Sequence, residues 1–326
     1  MKKNVFTPIG YKAMNLQQLR YVRETVRRGL NLTEAARALH TSQPGISKQI
    51  KELEDELGVQ IFARRGKRFT GLTEPGRRIA EIAAHVLAEI ENLRRVGKEF
   101  ADEEAGSFTI ATTHTQARYA LPEVVTAFRR RYPRVHLQLL QGNPTAIGRM
   151  VIAGEADVAI ATEALDQFPE LLAMPSYQWH HCVVTPPGHP LLDSSRLRLE
   201  DVVRHPLITY SPEFAGRSHI DEAFTARGLR ADIVLAAVDS DVIKSYVELG
   251  LGVGIIAAMA FDPARDRALR AIDAGHLFGT NTTRIAVRRG AYLRSYVYDF
   301  IERFAPHLTR KAVDQAMAGA GETYEL

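Results

Sequence analysis

At 326 residues the chain exceeds one ordinary core and should divide into two or three units. Its 45% hydrophobic and 25% charged residues are ordinary globular values, no apolar run approaches a bilayer span, and the start lacks the apolar core of a signal peptide. The expected compartment is therefore the cytoplasm, with no membrane partner. A single cysteine, Cys182, excludes an internal disulfide framework and argues against a cysteine-based metal site.

Charge is unevenly placed. Residues 1–75 carry 14 Lys+Arg against 7 Asp+Glu, a formal +7, while the remainder carries 28 against 31, or −3. A DNA-contacting end followed by a mildly acidic body fits this split better than general stickiness does.

Residues 1–13 hold three lysines, a proline and a glycine without periodicity, and read as a poorly constrained tail; Met14, just before the ordered pattern, competes with Met1 as the start. Leu16, Leu19, Tyr21, Val22 and Val26 give a first helix an apolar face, ended by Gly29. A second helix is expected from about Thr33, its N-cap, to Leu39, and a third from the cap Ser42, with Pro44 tolerated in its first turn. Ile46, Ile50, Leu53 and Leu57 form its buried stripe, leaving Ser42, Gln43, Ser47, Lys48 and Lys51 outward. Two short helices around a tight turn, with such a face, form a helix-turn-helix suited to the major groove; an ordinary three-helix domain with a wet face is the competing reading.

Gly58 should stop the third helix. Val59–Phe62 then reads as a strand, and Arg64, Arg65, Lys67 and Arg68 form a basic turn at Gly66, a wing for phosphate contacts. From Pro75 an apolar stripe of Ile79, Ile82, Ala83, Val86, Ile90, Leu93 and Val96 runs nearly six turns, longer than a small domain needs, and is expected to pair with a second copy. A dimer would present two recognition helices to a pseudo-palindromic site in double-stranded DNA. The acidic run Asp102-Glu103-Glu104 marks a linker.

The body alternates. A strand at 107–112 leads to the polar corner Thr113-His114-Thr115-Gln116, and a helix at about 119–131, a strand at 135–141, a helix at 144–153 and a strand at 157–160 follow. This is the rhythm of a mostly parallel α/β sheet, whose ligands bind at the strands' carboxyl ends. Near Pro175 the chain passes into a second α/β lobe, with strands at 207–210, 234–238 and 253–257 and helices at 217–226 and 241–249. It returns to the first lobe through 283–287 and a helix at 293–304, and the Ala/Gly-rich segment after Ala312 is expected to fray. Two lobes with crossing connections make a ligand-closing cleft, a sensor. No nucleophile and base stand at a recognisable spacing, and His180 and His181, adjacent in a strand, point to opposite faces, so neither an enzyme nor a metal centre is expected. Cys182, between His181 and two valines, reads as a buried strand thiol.

Residues 14 to about 306 resemble the LysR-type transcriptional regulators. The resemblance is most specific in Leu32-Thr-Glu-Ala-Ala through Leu57-Gly-Val-Gln-Ile-Phe62, and Ala111-Thr-Thr-His-Thr-Gln-Ala-Arg-Tyr-Ala-Leu-Pro122 is similar to the cysteine-regulon branch of that family. It implies a winged helix-turn-helix at 14–73, a linker helix and linker at 74–105, and a two-lobed, periplasmic-binding-protein-like effector domain at 106–308. Lobe I would comprise about 106–174 and 281–308, lobe II about 175–280, with 309–326 a poorly constrained tail. It further implies a homotetramer acting with RNA polymerase on promoters of sulfur assimilation and cysteine biosynthesis, and an effector such as N-acetylserine, O-acetylserine, sulfate or thiosulfate, with no other cofactor.

The resemblance places effector contacts at Thr113, Thr115, Gln116, Thr162 and Trp179, and at Ala215, Gly216 and Arg217, where the family's Thr-Gly-Arg has lost its hydroxyl at Ala215. The expected DNA contacts are Thr33, Ser42, Gln43, Pro44, Ser47, Lys48 and Lys51, with Arg64, Arg65, Lys67 and Arg68 on phosphates. A LysR-type regulator of another catabolic or sulfonate pathway, or a small-anion transport protein, remains the alternative.

Overall fold

The computed structural model describes residues 14–319 apart from Lys67, 102–104, Glu163, Glu213 and Ala215, and describes no side chain at 98–101. The anticipated roles of Lys67 and Ala215, the tail at 1–13 and the acidic linker run lie outside the described residues. The chain forms two compact units, one up to Arg95 and one from Val96.

In the first unit, α1 (Leu16–Arg27) starts at Asn15, whose side chain accepts from the Gln18 amide while Gln18 accepts from the Asn15 amide, a reciprocal cap. Helix α2 (Leu32–Ala38) is capped by Asn31, which accepts from the amides of Thr33 and Glu34. Thr33 is thus inside the helix rather than its expected cap, because the Asn31 carboxamide reaches both orphan donors first. Helix α3 (Gln43–Leu57) begins as expected at Ser42, whose Oγ accepts from Gly45 N at 3.2 Å, and ends at Gly58 in the left-handed region, φ 68°.

Ile46, Ile50 and Leu53 are fully buried with Tyr21, Val22, Leu32, Ala35 and Ala36. Leu57 is exposed, contrary to the expected stripe, because the core ends one turn earlier at Glu54. Glu54 also moves the expected strand: its Oε1 accepts from Ile61 N (2.8 Å) and Phe62 N (3.1 Å), so residues 59–61 dock on a helix instead of joining a ladder. Strand β1 is Phe62–Arg65, paired antiparallel with β2 (Arg68–Leu72) through Gly66 at φ 63°, with the Phe62 and Phe69 rings stacked beneath at 4.4 Å.

Helix α4 (Glu74–Ala101) opens against this hairpin. A Cβ on Gly76 would stand 1.9 Å from the Ile61 carbonyl oxygen, so only glycine permits that approach, and Thr73 Oγ1 accepts from the Gly76 amide. Ala83 and Leu87 bury themselves against Leu19, whereas Ile82, Val86 and Leu93 face outward.

Among the described residues the second unit is built on nine strands. Strand β3 (Gly106–Thr112) lies parallel to β4 (Val135–Gln141) and β5 (Val158–Ala161), joined by α5 (Leu121–Arg131) and α6 (Pro144–Ile152). Strand β6 (Leu171–Thr185) carries the chain onward for 15 residues. The second lobe follows as α7 (Leu199–Val202), β7 (Leu207–Tyr210), α8 (Arg217–Ala226), β8 (Ile233–Ala237), α9 (Ser240–Glu248), β9 (Val253–Ala257), β10 (Arg270–Asp273) and α10 (Gly275–Phe278). Strand β11 (Thr280–Arg288) returns, followed by α11 (Ser295–Phe304) and α12 (Arg310–Met317). The order is β4-β3-β5-β11-β6-β9-β7-β8, with β10 on β6.

Strand β6 pairs with β11 in lobe I and with β9 and β10 in lobe II, so β6 and the returning β11 carry the chain between the lobes. They run antiparallel from Thr280↔His180 to Arg288↔Leu171, with a register break between Thr283 and Arg284. Each lobe buries both faces of its sheet: Phe108, Phe128 and Phe300 on one face of lobe I with Ile147 and Val151 on the other, Ile243 and Val247 on one face of lobe II with Ile220 and Phe224 on the other. Two faces covered by helices is the layered architecture expected of an α/β lobe. The expected fraying after Ala312 is corrected: Thr309 caps α12, and Val313 and Ala316 enter the core of lobe I. Their three-residue spacing is helical, but alanine and glycine around them mask it.

Candidate DNA-binding face and effector cleft

The outward face of α3 follows from its buried one. With Ile46, Ile50 and Leu53 turned inward, Gln43, Pro44, Lys48 and Lys51 are exposed and Ser47 is half-buried on the other side. Lys48 is 3.9 Å from Glu52, too long and too exposed a pair to hold it. Ser42 is engaged as the cap. Thr33, Gln43 and Arg68 line a common groove of about 360 Å³ with Asn31 and Phe69, which joins the start of α2, the start of α3 and the wing. Arg65 and Arg68 face each other across the hairpin and are exposed.

Arg64 differs from the other wing cations. Its Nη2 donates to Glu54 Oε2 at 2.5 Å and its guanidinium lies 4.7 Å over the Phe69 ring, with Glu54 buried. That geometry makes Arg64 the tie between recognition helix and wing, a role the bare run of basic residues did not reveal.

In the second unit, five of the anticipated effector residues come together. Thr113, Thr115, Gln116, Thr162 and Trp179 line one narrow cavity with Tyr210, Phe214, Val238 and Ala257, leaving about 20 Å³ for the centre of a water-sized body. Thr113 and Gln116 sit where β3 ends and a helix begins: a π-helical turn at Gln116–Ala120 leads into α5, and the Thr113 carbonyl accepts from the Ala117 amide. The amides ahead of that bond have no intrahelical acceptor, which suits an oxyanion. Gln116 is 2% exposed and fully engaged: Nε2 donates to Thr283 Oγ1 at 3.1 Å and Oε1 accepts from the Tyr177 hydroxyl. Trp179 Nε1 donates to the same Thr283 oxygen at 3.1 Å. Gln116 and Trp179 are therefore fixed walls, and Thr113 and Thr115 bring hydroxyl groups to the lining.

Arg217 is not part of that lining. Its Nη1 donates to the Tyr210 carbonyl at 2.6 Å and its Nε to Asp221 at 2.8 Å, so it braces α8 against β7. Gly216, at φ 86°, lies behind Trp179: a Cβ there would be 2.4 Å from His181 Nε2 and 3.3 Å from the indole. His180 and His181 do point to opposite faces, His180 outward to Asp273 at 3.0 Å and His181 fully inward. Burial pushes His181 down to about 3, and its Nε2 has no hydrogen-bond partner. Cys182 is buried as expected, its thiol pushed up to about 12 by burial.

Asp241 was not anticipated. Burial raises its carboxyl, but hydrogen bonds from Tyr119 and His114 and the charges of Lys244 and Arg118 outweigh that and hold it below the ordinary range. Lys244 is buried too; burial lowers its ammonium, yet bonds to Asp266 and Tyr119 leave it raised. His114, Asp239 and Asp241 have cation-ligand spacing, but Arg118 and Lys244 already neutralise that corner. An alternating sequence pattern carries no signal for such a cluster, since its members are far apart in the chain.

A winged helix-turn-helix with a hinged two-lobed sensor defines a ligand-responsive DNA-binding protein. The chain belongs to the LysR family of transcriptional regulators: residues 16–77 match the bacterial regulatory helix-turn-helix protein, lysR family, and residues 101–309 the LysR substrate binding domain. It is 58% identical over 313 residues to the HTH-type transcriptional regulator CysB of Burkholderia cenocepacia, 96% of this chain and 100% of that one. It is 57% identical to SsuR of the same organism (92% and 97%) and 50% identical to Cbl of Escherichia coli (89% and 92%). The crystal structure of the cofactor-binding domain of Cbl matches with TM-score 0.64 at 46% identity, covering 65% of this chain and 93% of that one. A full-length OxyR variant from Pseudomonas aeruginosa shares the fold at TM-score 0.66 and 23% identity, covering 90% and 97%. CysB, SsuR and Cbl are HTH-type transcriptional regulators, and this chain, a transcriptional regulator and not an enzyme, groups with them. No helix among the described residues is long and apolar enough to cross a membrane.

Proposed function

We propose that this protein switches genes of sulfur assimilation and cysteine biosynthesis in response to a small anionic effector of the acetylserine, sulfate or thiosulfate type, held between its lobes. The carrying observation is the convergence of Thr113, Thr115, Gln116, Thr162 and Trp179 on one cavity at the end of β3. Three threonines, a helix start and an aromatic wall can bind an oxyanion without a formal counter-charge. The DNA contacts are Gln43, Ser47, Lys48 and Lys51 in the major groove, with Pro44 and the cap Ser42 setting their pose, Thr33 beside them, and Arg65, Lys67 and Arg68 on phosphates. Gly216 backs Trp179 and Arg217 braces α8 behind the cavity, and the absent hydroxyl at Ala215 tunes which effector fits. The protein works in the cytoplasm as a homotetramer, a dimer of dimers, and presents RNA polymerase with altered promoter geometry when the effector binds.

Calorimetry of the full chain with N-acetylserine, O-acetylserine, sulfate and thiosulfate tests the site. Thr115→Val should weaken the bound effector about tenfold, the worth of one hydrogen bond to a charged group. Unchanged affinity would remove Thr115 from the site. The identities to CysB and SsuR, 58% and 57%, do not separate their gene sets. A genomic binding map from sulfur-limited and sulfur-replete cells does, and occupancy indifferent to sulfur would refute the reading.

A further inference from the structure

The helical segment that brings Thr115 and Gln116 to the cavity continues across the cleft. Three of its side chains, His114, Arg118 and Tyr119, meet a single carboxylate on the opposite lobe. Tyr119 donates to Asp241 Oδ1 at 2.6 Å, while His114 Nε2 and Arg118 Nε each stand 3.3 Å from Oδ2. Asp241 is on α9, just after Val238, which lines the cavity, and Asp239, which caps the helix. This carboxylate therefore joins two of the segments that wall the cavity, one from each lobe.

Behind Asp241 stands Lys244, 7% exposed. Its Nζ donates to the Tyr119 hydroxyl at 3.1 Å, to Asp266 at 3.0 and 3.1 Å and to the Ala260 carbonyl at 2.9 Å, and lies 3.4 Å from Asp241. Tyr119 is thus held by an anion and a cation of lobe II at once. The room among these residues is narrow, about 20 Å³ for the centre of a water-sized body, so an effector the size of acetylserine requires the lobes to part. Parting them stretches the Tyr119, His114 and Arg118 contacts together.

We infer that Asp241, backed by Lys244, is an interlobe clasp: a positioning group that holds the effector-contacting turn against lobe II and sets how fast effector enters and leaves. The inference rests on the cleft being the effector site, but the clasp itself joins the lobes whatever the ligand. It acts on both rates because the same bonds break for ligand to enter and again for it to leave.

The test uses the full chain, with Asp241→Asn and Tyr119→Phe. Trp179 is the sole tryptophan and lines the cavity, so its fluorescence in stopped-flow mixing with N-acetylserine reads occupancy directly. Both variants should raise the association and dissociation rates several-fold, with Kd changing less than either rate. Hydrogen exchange without ligand supplies the second arm: Asp241→Asn, a change in lobe II, should speed exchange in the Gln116–Ala120 segment of lobe I. Unchanged exchange there overturns the clasp, as do unchanged rates in both variants. If exchange responds but wild-type Trp179 is silent to N-acetylserine, the clasp stands and the proposed effector falls.

Discussion

Glu54 shows how one buried carboxylate fixes a surface. It accepts two backbone amides and Arg64 at once, so the wing's position relative to α3 depends on it. Glu54→Ala should destabilise the DNA-binding unit by about 3 kcal/mol, the cost of orphaning buried donors and a paired guanidinium. Thermal unfolding of the full chain would show this as a lowered transition, and a transition within a degree of wild type would refute it. His181 gives a pH signature. Its pKa is about 3 when folded against 6.5 ordinarily, so between those values the unfolded chain takes up a proton the folded chain refuses. Stability from this group is complete above about pH 6.5 and falls on acidification, about tenfold in the folding constant per pH unit. Urea unfolding at pH 7 and pH 5 should therefore show a smaller loss in His181→Gln than in wild type, and equal losses would contradict the burial argument.

Among elements, α4 bears the face proposed to pair with a second copy. One side is committed to Leu19 through Ala83 and Leu87, while Ile82, Val86 and Leu93 leave an apolar stripe in water at i, i+4 and i+11 spacing. Ile82→Glu with Leu93→Glu should split the oligomer by at least one level in sedimentation at micromolar concentration while leaving the monomer folded. An unchanged sedimentation coefficient would place the interface elsewhere. Most elements of the second unit were readable beforehand; the spans 135–141, 207–210, 217–226 and 253–257 agree residue for residue, because each is a continuous apolar or periodic run bounded by glycine or proline. The failures have local causes. The strand expected at 59–62 yields to the Glu54 carboxylate, Thr33 yields to Asn31 as a cap, and α12 hides its two core residues among alanines.

Across the whole chain, the charge split separates two kinds of recognition. The excess of +7 in residues 1–75 marks the end that meets a polyanion, and the mildly acidic remainder would hold the proposed anion with hydroxyls and amides. Arg68→Ala should lower affinity for all DNA sequences and reduce the slope of log affinity against log salt by about 1, measured by fluorescence anisotropy at several salt concentrations; an unaltered slope would take Arg68 off the phosphate. The local parts of both sites were legible, since Thr113–Gln116 and Ser42–Lys48 are short runs. What joins lobe to lobe was not, since Tyr119, Asp241 and Lys244 belong together only after folding.

The buried thiol of Cys182 has a practical corollary. It is the sole cysteine, 4% exposed, with its ionisation pushed up to about 12, so a maleimide at neutral pH finds almost no native thiolate. Cysteines introduced at two exposed positions, one on each lobe, would accept paired dyes with almost no background labelling, and the opening and shutting of the sensor could be followed one molecule at a time in a protein otherwise unaltered.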